Sequence, residues 1–146
     1  MKAALVGKEW ETHLTTRARF EGIVPISLDR KASWTPRGFQ KQKAQFDFIF
    51  IGRNAKVICF DAKTTGQPRF QIGKINTDQL KHLMDAGQNC PAGYLVWFRR
   101  GDKIVWLNWQ VLFQAISAAQ AILPENGVVL GGFHSFKLAQ IFEMRG

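Results

Sequence analysis

Apolar residues recur along this chain with two different periods, and the switches between them predict the order of its elements. From about residue 4 to 19, Val6, Trp10, Leu14 and Ala18 fall every four residues, the stripe of a helix. Gly22 to Leu28 is short and apolar and contains Pro25, which suits an edge strand or an extended entry. Phe46-Asp47-Phe48-Ile49-Phe50-Ile51 and Ala55 to Lys63 are rich in β-branched and aromatic residues, with Gly52-Arg53-Asn54 between them, so they predict two adjacent strands of a hairpin. Asn76 or Thr77 caps a second helix to about Gln88, with Leu80, Leu83, Met84 and Gly87 on its buried stripe. Gly93 to Phe98 is nearly all apolar, as in a strand covered on both faces. The chain then turns at Arg99-Arg100-Gly101-Asp102 and returns through Lys103 to Leu107, with Trp97 and Trp106 in the core. A third helix is expected from Trp109 to about Ile122, with Leu112, Phe113 and Ile116 inward and Pro124 ending it. Gly127 to Gly132 reads as a last strand or a dimer arm, and Phe136 to Met144 as a weakly amphipathic tail packing on a second subunit. This order predicts an α/β sandwich with a mixed central sheet.

Residues 29–45 break the pattern. Arg30, Lys31, Arg37, Lys41 and Lys43 are interleaved with Trp34, Phe39, Ser, Thr, Pro and Gly, which reads as a long basic loop without a regular element. Loops of this length inside compact domains usually serve function. The cations suit phosphates, and Trp34 or Phe39 suits stacking on an unpaired base. The plainer reading is a solvated loop with Trp34 tucked into the core.

The chain has 146 residues, enough for a single domain over 1–146 with a real core. Its 20 Lys+Arg against 11 Asp+Glu give a net charge of +9, and the sequence pI is about 10.0. Such a surface favours a polyanion, nucleic acid before acidic membrane. No apolar run reaches the ~20 residues of a membrane span. Met1 to Leu5 is too short and too soon followed by charge for a signal peptide, so a cytoplasmic location is expected. Cys59 and Cys90 lack C-x-x-C spacing and read as buried free thiols; the three histidines form no zinc motif. Gly131-Gly132 lacks the spacing of a nucleotide loop, so no nucleotide cofactor is expected.

The chemistry concentrates on the two central strands. Alternation puts Asp61 and Lys63 on one face, about 7 Å apart, and turns Asp47 away from Phe46 and Phe48. A carboxylate amid such neighbours is costly unless it is paired or binds a metal. Two carboxylates supply hard oxygen ligands for Mg²⁺, and a lysine can orient an attacking water, so the set points to a metal-dependent phosphodiesterase.

Asp47 followed by Asp61-Ala62-Lys63 resembles the Asp … (Asp/Glu)-x-Lys core of the PD-(D/E)xK nuclease superfamily. Phe60-Asp61-Ala62-Lys63-Thr64-Thr65 with Asp78-Gln79-Leu80-Lys81-His82-Leu83 resembles RecU-type Holliday junction resolvases. Gly7-Lys8-Glu9-Trp10-Glu11 is similar to that family's opening, and the likeness runs over about residues 7 to 110. The resemblance implies a restriction-endonuclease-like fold and a symmetric homodimer that resolves four-way DNA junctions in recombination and repair by paired nicks. It implies Mg²⁺, with Mn²⁺ substituting, held by Asp47, Asp61, the Ala62 carbonyl and Glu11. Catalytic roles then fall to Lys63, Asp61, Asp47, Glu11 and Gln79. DNA contacts fall to Arg30, Lys31, Trp34, Arg37, Lys41, Lys43, Thr64, Arg69 and Lys74, with the basic tip Arg99, Arg100 and Lys103 also near phosphate. Glu11 also fits an ordinary surface glutamate, and Gln79 a capping-box partner of Asn76. In the family, an insertion near 29–45 forms a stalk entering the junction, shortened here. Small size leans toward a phage source. Two rival readings stand beside this one. The first is a repair or restriction-type nuclease acting on duplexes or flaps. The second is a non-catalytic basic nucleic-acid-binding module.

Overall fold

A computed structural model describes the backbone of residues 3–28, 32–35, 38–41 and 46–144, and side chains within 5–28 and 46–144. Helix α1 (Ala3–Phe20) leads into β1 (Val24–Ser27), β2 (Ala32–Thr35), β3 (Gly38–Lys41), β4 (Phe48–Ile51) and β5 (Val57–Thr65). Then follow α2 (Thr77–Ala86), β6 (Ala92–Phe98), β7 (Lys103–Asn108), α3 (Trp109–Ala118), β8 (Val128–Gly131) and the short α4 (Ala139–Phe142). Among the described residues, six strands form one sheet in the order β1-β4-β5-β6-β7-β8. Its neighbours are antiparallel except β5 and β6, which run parallel with α2 in the connection between them. The mixed α/β architecture expected from the element order is the one observed.

Strand alternation divides the core into two layers. Phe48, Phe50, Phe60, Leu95 and Trp106 face α1, whose stripe Trp10, Leu14 and Ala18 is buried against them. Cys59, Tyr94, Val96, Phe98 and Leu107 face the other way, onto Leu80 and Leu83 of α2 and Leu112 and Ala115 of α3. Phe60 is the hub of the first layer, with ring centroids 5.4 Å from Phe48 and 4.8 Å from Phe50.

Several expectations are corrected. The chain bends at Phe46 and Asp47, so β4 starts only at Phe48. The bend carries Phe46 into the second layer beside Cys59, so Asp47 turns away from Phe48 alone. Residues 32–35 and 38–41 hold a regular element after all: β2 and β3 pair antiparallel as a separate ribbon, with Trp34 in register with Phe39. The remaining residues of the expected loop, including Arg30, Lys31, Arg37 and Lys43, lie outside the described residues. Strand β5 runs on through Thr64 and Thr65, two residues past its expected end at Lys63. Helix α3 stops at Ala118, before Pro124, because Ala119 takes a left-handed conformation (φ 52°) and caps it. Phe113 is 49% exposed, not inward, because it lies 100° round the helix from Leu112. Gly127 to Gly132 takes the strand option, as β8 pairs with β7. The C-terminal Phe136, Leu138, Ile141 and Phe142 are buried in this chain's own first layer, where their apolar area is satisfied without a second subunit.

Burial decides the cost of truncation. Phe60→Ala is expected to lower the unfolding free energy by about 3–5 kcal/mol in urea titrations. Phe113→Ala, at an exposed site, is expected to stay within about 0.5 kcal/mol.

Candidate active site

The ladder between β4 and β5 ends at the pair Phe48 and Phe60. One step beyond it, Asp47 stands opposite Asp61, and side chains take over from backbone pairing. The Asp47 N–H donates to Asp61 Oδ1 at 2.7 Å, and the Ala62 N–H donates to Asp47 Oδ2 at 3.2 Å. Each carboxylate thus captures a backbone donor of the other strand, which fixes both on one face. Lys63, two residues on, points the same way, with Nζ 2.9 Å from Asp61 Oδ2.

Electrostatics set the two acids apart. Asp61 is 1% exposed and holds the lysine. Burial, and then the charge of Asp61, push the Asp47 carboxyl up to about 7. The Ala62 N–H and Lys63 oppose that rise, while Glu11 adds to it. Glu11 comes from α1, half-buried, and its charge is felt at Asp47. Two opposed carboxylates with one ammonium suit a divalent cation: the donors are hard oxygens, and the excess negative charge already raises Asp47. Among the described residues, no group of three or more His, Cys, Asp or Glu is assembled as a ready-made metal cluster. A site for Mg²⁺ needs no more than one or two carboxylates, since waters and phosphate complete its shell.

Gln79 lies in the first turn of α2, where Asn76 Oδ1 caps the N–H groups of Asp78 and Gln79. A capping box would bring the Gln79 side chain back to the Asn76 N–H. Here Tyr94 stands between them. The Asn76 N–H donates to the Tyr94 hydroxyl at 3.2 Å, and that hydroxyl donates to Gln79 Oε1 at 3.1 Å. The Tyr94 ring lies beneath Lys63, with Nζ 5.2 Å from its centroid. Burial, with help from Asp61 and Asp47, pushes its phenol up to about 12. The sequence reading passed over Tyr94 as one more strand residue. Its polar tip in an apolar run, at the only tyrosine in the chain, was the available signal.

The expected DNA-contacting residues are scattered. Trp34 lies on β2 and Lys41 on β3, in the two-stranded ribbon and not in the main sheet. Thr64 donates its hydroxyl to the Trp97 carbonyl at 3.1 Å. Arg69 and Lys74 are exposed on the connection after β5, either side of buried Phe70. Arg99 joins the same end of the sheet: its N–H meets the Thr65 carbonyl at 3.0 Å, and its guanidinium lies against Gly66. The β2–β3 ribbon leaves and re-enters beside the acids, since Leu28 N–H donates to the Asp47 carbonyl at 2.8 Å.

A mixed sheet flanked by helices on both faces, with strand-borne acids and a lysine, has the restriction-endonuclease-like fold of a large class of nucleases. The family profile of RecU, recombination protein U, matches residues 19–124. The chain belongs to the RecU family of Holliday junction resolvases, DNA-binding nucleases of recombination that generally depend on a divalent metal. The match extends past residue 110 and begins after Glu11, so Glu11 lies outside it. No curated protein matches the chain. No helix among the described residues is long and apolar enough to cross a membrane.

The raised Asp47 has a thermodynamic consequence. Because its folded value lies above 3.8, the folded state holds the proton more tightly than the unfolded chain. The stability it contributes is complete below the ordinary carboxylate range and is lost as pH rises through about 7. In EDTA, Asp47→Asn is expected to melt above wild type at pH 8 and level with it near pH 4. Equal melting temperatures at both pH values would contradict the burial argument.

Proposed function

We propose that this chain resolves four-way DNA junctions by paired Mg²⁺-dependent nicks, with Mn²⁺ able to substitute. The single observation that carries the reading is the opposition of Asp47 and Asp61 with Lys63 in contact, at the ladder end beside which a basic excursion is rooted. Asp47, Asp61 and the Ala62 carbonyl would hold the metal, with Glu11 contributing charge or a ligand. When bound, the ion polarises the scissile phosphate and lowers the pKa of water. Lys63, held by Asp61, orients the attacking water and offsets charge as the phosphate becomes five-coordinate. Water adds to phosphorus and gives up a proton to solvent, while the bond to the 3′ oxygen breaks and that oxygen takes up a proton, giving a 5′-phosphate and a 3′-hydroxyl. Gln79 presents its amide to the nucleotide.

Residues 1–146 form a single nuclease domain in this reading. Arg30, Lys31, Trp34, Arg37, Lys41 and Lys43 contact the junction from the excursion. Arg69 and Lys74 line the mouth of the site, with Arg99 and Arg100 beyond, while Thr64, turned to the other face with its hydroxyl on the Trp97 carbonyl, is left out of it. Selection rests on junction shape, since phosphate contacts carry no base readout. Two opposed nicks need two sites, so the acting species is a symmetric homodimer. Its setting is the cytoplasm of a bacterium or of a phage-infected host.

The test is nicking of a synthetic four-way junction with Mg²⁺. Asp61→Ala and Lys63→Ala are each expected to lose about 10²- to 10⁴-fold in rate. Normal cutting by both would move the site elsewhere. Equal affinity for junction and linear duplex would favour the repair or restriction-type nuclease. Tight binding without product under any divalent metal would favour a non-catalytic module. In the same binding assay, Arg99→Ala with Arg100→Ala is expected to flatten the salt dependence by about two units of slope.

A further inference from the structure

Tyr94 is buried, yet its hydroxyl and its ring each touch a different part of the site. A phenol has one proton and can also accept. The Asn76 N–H is a donor only, so it uses the acceptor side of the hydroxyl. The proton must therefore go to an acceptor, which fixes the Gln79 amide with its oxygen toward Tyr94. The Gln79 NH₂ group is thereby turned away from Tyr94. Among the described residues it has no protein acceptor, and Gln79 is half-buried. The same tyrosine carries Lys63 over its ring face. One rigid side chain on β6 thus links the first turn of α2 to the lysine of β5.

We infer that Tyr94 is a positioning residue, whose hydroxyl locks the amide orientation of Gln79 so that its NH₂ donates to a phosphate oxygen of the bound DNA. The role rests on the nuclease reading above. The hydroxyl donates nothing to substrate, since its one proton is held by the Gln79 oxygen. Burial keeps the phenol neutral, so it serves neither as base nor as nucleophile. Without the hydroxyl, the glutamine amide is free to rotate, and an unpaired Asn76 N–H is left at the helix start. The effect should fall on the bond-breaking step more than on DNA affinity, because one misdirected donor among many phosphate contacts changes binding little.

The experiment compares wild type, Tyr94→Phe, Gln79→Ala and the double variant on a synthetic four-way junction with Mg²⁺ under single turnover. Junction Kd is measured in EDTA, and melting temperature reports folding. Tyr94→Phe is expected to lose roughly 10- to 100-fold in cleavage rate with unchanged junction Kd. Added to Gln79→Ala, it should cause no further loss, because both changes remove one interaction. Gln79→Glu supplies a check that leaves the tyrosine in place: its carboxylate still accepts from Tyr94 but cannot donate, so it should be slow as well. Wild-type rates in Tyr94→Phe or Gln79→Glu, or losses that multiply in the double variant, would overturn this role while leaving the nuclease reading intact. A wild-type chain that cuts no DNA would overturn that reading and the role with it.

Discussion

Two like charges facing each other across adjacent strands is the condition around which the rest of this protein is arranged. Asp47 and Asp61 occupy the first positions past the end of a ladder, where backbone donors would otherwise go unpaired. Each acid satisfies a donor of the other's strand, so the repulsion between them is tolerated in return for closing the end of the ladder. Burial first, and then the charge of Asp61, raise the Asp47 carboxyl in this arrangement. Lys63 supplies only part of the missing positive charge. The surrounding layers keep the strands from sliding: Phe48, Phe50 and Phe60 interlock directly behind the acids, and a one-residue slip would turn Asp61 into that aromatic layer.

The acids depend on the helices as well. Helix α1 presses its stripe onto the phenylalanine face and brings Glu11 within electrostatic reach. Helix α2 lies in the parallel crossover and delivers Asn76 and Gln79 to the opposite face. The parallel pairing of β5 with β6 matters here, since it sets Tyr94 beside Asp61 and Val96 beside Lys63 in register. A hairpin connection would have reversed β6 and put Tyr94 elsewhere.

Much of this was legible in the sequence, for reasons that can be named. Val6, Trp10, Leu14 and Ala18 announce a helix because spacing by four is hard to produce otherwise, and the site acids follow from period-two alternation around a short turn. The β2–β3 ribbon was not legible. Ala32-Ser33-Trp34-Thr35 and Gly38-Phe39-Gln40-Lys41 each carry one aromatic among small or polar residues, too little to establish a period. The two-residue spacer Pro36-Arg37 was the remaining clue. The C-terminal tail failed for another reason: a pattern shows that Leu138 and Ile141 seek burial, but not whether their own chain or another supplies the partner. Tyr94 was hidden because hydropathy counts its ring and ignores its hydroxyl. The bend at Phe46 and the early stop at Ala119 are backbone events, which periodicity does not encode.

The hydrogen bond between Leu28 and Asp47 closes the β2–β3 excursion at its base, so the path out and the path back meet at one point of the sheet. An excursion closed in this way is modular: lengthening or trimming it leaves every strand register of the main sheet as it was, at only a slowly growing entropic cost. Its reach can therefore drift between relatives independently of the catalytic architecture.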